Sequence, residues 1–409
     1  MTRMADRTPT GPPGADLSST AFAVRLALFY AAIFIVYGVQ VPYLPVWLDA
    51  QGLTAREVAI VTAAPFLLRL VVSPGCALVA DRMGAHRQVI LALAWTALAA
   101  VLLLGSMAGF TGILVVTVVF ALASASIMPL TETIAVAGTR ERGLDYGRIR
   151  LWGSLSFVAV GLVGGALLDR VGAEAALWLL AIGAAATVAA GHALPRPDAP
   201  PQDEGPPGPR PAGLISADVA RLVRSPVFVA FILAVSTTQA SHGLFYTFGA
   251  LHLQKLGVSG TWIGVQWAVA VLTEVMLFAV AGSLLASAGP KLLIAAGGAA
   301  AVVRWTAMSF DPPLAVLVGL QGLHALTFGA THLGAMRFIA EAAPPAAAGT
   351  AQALHSSFAA GIVMGLSIML SGTLYEAFAG RAFLAMAVLG LMSLLATLFI
   401  VRRWDGRRL

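Results

Sequence analysis

Five charged side chains lie inside long apolar runs: Arg69, Glu132, Arg150, Glu274 and Arg304. A charge at the centre of a bilayer costs ~2.5–3.5 kcal/mol on insertion scales, so such a group faces an internal cavity or a partner. Two acids and three arginines suit mutual pairing, and an arginine fork can also grip a carboxylate ligand through two parallel bonds. His242, His324, His332 and His355 add imidazoles that titrate near neutrality; His332 and His355 read as satisfied packing histidines. Helical spacing sets aromatic groups beside the charges. Arg150, Ser154 and Phe157 follow an i, i+4, i+7 pattern, and Trp267, Glu274 and Phe278 share a face. His242 with Phe245 and Tyr246, and Gln321 with His324, Phe328 and His332, form similar stripes. Most aromatic stripes in helical bundles are packing. The two that carry a buried charge, Arg150 with Phe157 and Trp267 with Glu274, are the stronger ligand candidates.

The elements that must position these groups follow from composition. Of 409 residues 59% are hydrophobic and 11% charged, against roughly 25% charged in a soluble domain. Twelve apolar runs are long enough to cross a hydrocarbon layer, which takes about 20 helical residues: 22–47, 57–80, 88–108, 110–137, 147–168, 174–193, 227–253, 260–286, 291–309, 312–337, 349–375 and 381–402. Lipid cannot satisfy exposed backbone, and the runs lack the alternation of a membrane barrel, so the predicted class is an all-α membrane protein. Residues 1–21 read as a disordered tail, 194–226 as a proline-rich linker and 403–409 as a basic tail. If the N-terminus is cytoplasmic, the opposite side holds only Arg56, Arg170, Lys255 and Arg381. The positive-inside rule then places both termini in the cytoplasm, with a multi-pass chain in the inner membrane.

Several functions are disfavoured. The single cysteine, Cys76, and the lack of CxxC or HExxH argue against a disulfide framework or metal site. No GxSxG elbow or phosphate loop suggests an enzyme or a primary pump, and no cofactor is expected. A soluble signalling segment, as a membrane sensor would carry, is not seen. The net charge of +6 is scattered through short connections, so nucleic acid is not an expected partner.

The two six-run blocks, 22–193 and 227–402, begin 205 positions apart and suggest an internal duplication. The stretch Ala77-Leu-Val-Ala-Asp81-Arg82-Met-Gly84-Ala85-His86 joins runs 2 and 3. It resembles the loop signature GxLaDrxGrk of the major facilitator superfamily, matching at Asp81, Arg82 and Gly84 and departing at Ala77, Ala85 and His86. Gly84 permits a tight turn, and the resemblance implies that Asp81, Arg82 and Gly84 gate the cytoplasmic ends.

A closer resemblance starts at Leu144-Asp-Tyr-Gly-Arg-Ile-Arg-Leu-Trp-Gly-Ser154 and continues in Met128 to Glu132, Val303-Arg304-Trp305 and His332 to Ala340. It is similar to the phenylpropionic acid permease group and, more distantly, to lactose permease. This implies proton-driven uptake of a small solute by alternating access, in a chain that works as a monomer. Glu132 precedes Arg150 by 18 positions, like the sugar-binding acid and arginine of lactose permease. Phe157 falls where that family stacks a tryptophan, Glu274 resembles its span-8 acid, Arg304 its span-9 arginine and His324 its span-10 histidine. Thr327 stands where that family has a proton-carrying carboxylate, which leaves Glu274, then Glu132 and His324, as proton carriers. Phe157, Trp267, Glu132, Arg150, Glu274 and Arg304 form the expected substrate site. The expected substrate is a small acid with an aromatic body, with nucleoside or oligosaccharide symport as the alternative; efflux is a less favoured direction.

Overall fold

The computed structural model describes residues 19–195, 217–282, 285 and 287–409. The N-terminal tail up to residue 18 and the linker stretch 196–216 lie outside the described residues. Among the described residues every regular element is helical. Spans 1 to 6 are Ser19–Ala50, Ala55–Met83, His86–Leu104, Gly109–Glu141, Tyr146–Val171 and Glu174–Ala193. Spans 7 to 10 are Pro226–Lys255, Gly260–Ala281, Pro290–Met308 and Leu314–Ala342. A last apolar run, Pro345–Arg403, has 59 residues, which at 1.5 Å each is about three times the hydrocarbon thickness. It reverses at Ala379 and Gly380, giving span 11 (348–378) and span 12 (Phe383–Arg403). The described chain therefore crosses twelve times, as two six-helix halves.

Local chemistry sets the boundaries. Thr54 opens span 2 in a reciprocal capping box with Glu57. Gly84 closes it in the left-handed region at φ 57°, the turn expected of that glycine. Asp145 caps span 5 by accepting from the Arg148 amide. Spans 7, 10 and 11 are interrupted. Span 7 turns at Ser241 and His242, and spans 10 and 11 widen into π-helix over Ala325–Ala330 and Ser357–Ile362. Each interruption frees backbone groups in mid-membrane, which is tolerated where protein or a cavity receives them.

Among the described residues the halves meet chiefly along span 1 with 7, span 2 with 11 and span 5 with 8. Exchanging the halves converts the 2/11 contact into the 8/5 contact, as a duplicated architecture requires. Spans 5 and 8 approach until backbone touches backbone: a Cβ on Gly264 would lie 2.5 Å from the Gly161 carbonyl oxygen. Two peripheral segments are more ordered than the sequence suggests. The short helix Ala217–Arg224 falls within the predicted linker and buries Leu222. In the predicted basic tail Trp404 packs on Phe338 and the Leu409 amide donates to the Ala342 carbonyl.

Candidate functional site

The buried polar groups fall into two clusters joined by an aromatic bridge. In the second half, Arg304 of span 9 is fully buried. Its Nη2 donates to Gln321 Oε1 at 2.5 Å, and its Nη1 lies 3.3 Å from Thr327 Oγ1 and 3.4 Å from His324 Nδ1. Gln321 passes the chain on by donating to Gln266 Oε1 at 3.2 Å. The other ring nitrogen of His324, Nε2, is 3.4 Å from Glu274 Oε2. His242, at the break in span 7, contacts Thr327 Oγ1 at 2.9 Å through Nε2 and the Gln239 carbonyl at 3.0 Å through Nδ1. Spans 7, 8, 9 and 10 thus converge on one network. His324 immediately precedes the π-helical segment of span 10 and Thr327 lies within it, which brings the two together. The arginine has an aromatic bed as well, with Trp305 and Phe245 centred 4.4 and 5.4 Å from its guanidinium.

In the first half, Arg150 Nε lies 3.6 Å from Glu132 Oε1, and the Tyr146 hydroxyl donates to Glu132 Oε2 at 2.5 Å. The Arg150 guanidinium sits 4.1 Å from the centre of the Phe34 ring. Both charged side chains remain partly exposed, at 28% and 31%. Between the clusters Phe157 of span 5 meets Trp267 of span 8 at 6.3 Å, and Trp267 packs against Phe245 and Tyr246 at 5.2 and 5.7 Å. The Phe157–Trp267 contact joins the halves. A cavity of about 180 Å³ shares Tyr246 with this aromatic group; spans 1, 2, 4, 7 and 11 wall it, and its lining includes Tyr37, Phe66, Arg69, Thr117 and Thr247.

Some expectations change. Mutual pairing of acids and arginines holds for Glu132 with Arg150 only; Glu274 takes a histidine and Arg304 takes neutral partners, because the nearest groups on spans 8 and 10 are amide, hydroxyl and imidazole. Arg69 donates to the Ala360 carbonyl in the π-helical segment of span 11. Phe278 leaves the Trp267 face and is 40% exposed beside His332. His355 is buried against Phe231, yet among the described residues neither of its ring nitrogens has a hydrogen-bond partner. Gln266, Gln239, Tyr146 and Asp169 are not singled out by sequence. Gln266 adjoins Trp267 inside an apolar run, a usable signal; Asp169 sits beside Arg170 at a span end and looks like ordinary interfacial charge.

The polar contacts between halves gather toward one end. The Asp169 carboxylate accepts from the Gly260 amide at 2.5 Å and from the Thr261 amide and hydroxyl at 2.9 and 2.7 Å, so span 5 caps span 8. Arg56 of span 2 pairs with Glu376 of span 11 at 2.6 Å. At the opposite end Asp81 turns to His86 of its own loop, at 2.9 Å, while Arg82 and Gly84 are exposed.

Comparison with known proteins places these features in context. Residues 23–385 match the MFS_1 like family. The chain is 31% identical over 371 residues to the "Probable 3-phenylpropionic acid transporter" of Escherichia coli (strain K12), covering 90% of this chain and 94% of that one. It is 27% identical to the maltose permease of Geobacillus stearothermophilus, covering 95% and 96%. Among solved structures it is similar to the nucleoside transporter NupG, with a TM-score of 0.77 at 16% identity over 93% of this chain and 99% of that one. A bacterial homologue of the human lysosomal transporter Spinster, in an inward-facing and unoccupied conformation, aligns with a TM-score of 0.73 at 17% identity over 96% of this chain and 100% of that one.

Proposed function

Starting from the chain's membership of the MFS_1 like family of major facilitator transporters, we propose that it takes up a small carboxylic acid with an aromatic body, driven by protons, through alternating access. The observation that carries this reading is the contact between Glu274 and His324 of span 10, the acid lying on the span-8 helix that also brings Trp267 to Phe157 at the junction of the two halves. A carboxyl that exchanges a proton with an adjacent network, at a joint that must move, can couple protonation to opening. In this reading Glu274 carries the proton, and His324, tied to Arg304, senses its charge. Glu132 is a second candidate carrier, held by Tyr146 and Arg150. Phe157 and Trp267 flank the substrate path, and Arg150 and Arg304 supply positive potential along it. The 31% identity to the phenylpropionic acid relative supports the substrate class.

The closed end, with Asp169 and Arg56, is assigned to the periplasmic side and the Asp81 end to the cytoplasm, which makes this an inward-open state. Asp81, Arg82 and Gly84 then wait for the opposite state, in which Asp81 leaves His86 to bridge the halves. Both termini are cytoplasmic, the membrane is the inner one, and the monomer is the working unit. The two six-helix halves, 22–193 and 227–402, are the moving bodies.

A second reading has its own observation. Glu132 neutralises Arg150 at 3.6 Å, which leaves that pair suited to a neutral polyol, and the maltose permease relative and the nucleoside transporter fold are consistent with it. Reconstituted liposomes decide between them. An outward-acid pH gradient should drive accumulation of labelled 3-phenylpropionate, and unlabelled aromatic acids should compete. Competition by sugars or nucleosides but not by acids would establish the second reading.

A further inference from the structure

The three arginines of the membrane region differ in what already holds them. Arg304 is fully buried and engages Gln321 and Thr327, with His324 alongside. Arg150 is neutralised by Glu132. Arg69 has no acid partner among the described residues: one nitrogen donates to the Ala360 carbonyl, and its guanidinium lies 4.6 Å from the centre of the Phe66 ring. It also lines the cavity of about 180 Å³, which Arg150 and Arg304 do not.

The cavity wall has a second peculiarity. Thr117 of span 4 and Thr247 of span 7, one from each half, are 1% and 2% exposed, and the hydroxyl of each is buried with no hydrogen-bond partner among the described residues. Buried hydroxyls are ordinarily bonded, and an orphan marks a missing water or ligand. The rest of the wall is largely apolar and aromatic. Tyr37 spends its hydroxyl on the Ser124 carbonyl at 2.8 Å, which fixes its ring at the cavity edge, and Tyr246 joins the wall from the other half. The cavity of about 180 Å³ leaves room beside Arg69 for one ring and a short acid chain.

We infer that Arg69 is the residue that selects an anionic substrate: it holds the carboxylate in this cavity, the ring lies among Phe66, Tyr37 and Tyr246, and Thr117 and Thr247 supply hydroxyls from both halves. This rests on the aromatic-acid reading above and deepens it. An uncompensated guanidinium in a low-dielectric wall attracts a carboxylate strongly and gains little from a neutral analogue. Its bond to Ala360 also ties span 2 to the π-helical segment of span 11, so a ligand that recruits Arg69 acts directly on the contact between halves.

The test is calorimetric titration of the purified full chain with 3-phenylpropionate and with its neutral isostere 3-phenylpropionamide. Wild type should prefer the acid by about tenfold or more, the factor that one lost charge-assisted contact commands. Arg69→Gln should weaken acid binding about tenfold and bring acid and amide level, whereas Arg69→Lys, which keeps the charge and loses the planar fork, should weaken acid binding by less and keep part of the preference. Thr247→Val, which leaves the arginine and its anchor in place, should weaken acid binding severalfold with an unchanged melting temperature. If Arg69→Gln retains the full preference for the acid over the amide, the acid reading stands and the assignment to Arg69 falls. Absence of any acid preference in wild type overturns both.

Discussion

His324 bridges the acid and the arginine of the second half's network: its Nε2 lies 3.4 Å from Glu274 and its Nδ1 3.4 Å from Arg304. A change of charge on Glu274 is therefore felt across one ring by a guanidinium that also holds Gln321 and Thr327. Thr327 Oγ1 lies between Arg304 Nη1, at 3.3 Å, and His242 Nε2, at 2.9 Å.

Glu274→Gln should abolish accumulation of substrate against a gradient while preserving counterflow, because exchange needs no net proton movement. Uptake and counterflow in the same liposomes check it. A variant that still concentrates substrate in response to a pH gradient would remove Glu274 as carrier and bring forward His324.

Arg304→Met should cost stability as well as transport. The substitution approximates the volume but removes the donors to Gln321 Oε1 and Thr327 Oγ1, both buried. Leaving the buried Gln321 Oε1 without its donor costs about 1–3 kcal/mol. A melting curve in detergent should shift down by several degrees relative to wild type, whereas Arg150→Met, whose side chain is 28% exposed, should shift it much less.

Asp169→Ala should loosen the closed end. The carboxylate caps span 8 across the boundary, and loss of an N-cap costs about 1 kcal/mol, a shift of about fivefold in the balance of states. With Cys76 replaced by Ser and a cysteine placed at Phe157, labelling by a membrane-impermeant maleimide applied from the Asp169 side should rise by that factor. Unchanged labelling would mean that the Gly161–Gly264 packing and the Arg56–Glu376 pair hold this end without Asp169.

Reporter fusions should read the topology directly. A periplasm-active reporter is expected to work near Gln51 and Lys255 and to be silent after residue 210. Activity after residue 210 would invert the proposed orientation and, with it, the assignment of the Asp169 end.

The crossing segments were legible in the sequence because each is a local property: about 20 apolar residues in lipid have no alternative to a helix that satisfies its own backbone. The same locality exposed Arg69, Glu132, Glu274 and Arg304, since a charge within such a run stands out wherever the helix later packs. The 205-residue offset likewise predicted two six-helix halves. Pairing was not legible. Which charge meets which depends on the rotation of each helix, and the breaks at His242 and in the π-helical segments of spans 10 and 11 rotate the residues after them relative to a regular 3.6-residue pattern. Glu274 meets His324 rather than an arginine, and Arg69 meets the Ala360 carbonyl within the π-helical segment of span 11. The cross-boundary cap by Asp169 was beyond sequence for a related reason: it joins positions 91 residues apart, and nothing local to either marks the other. Burial of charge is decided by the run a residue sits in; its partner is decided only when the halves pack.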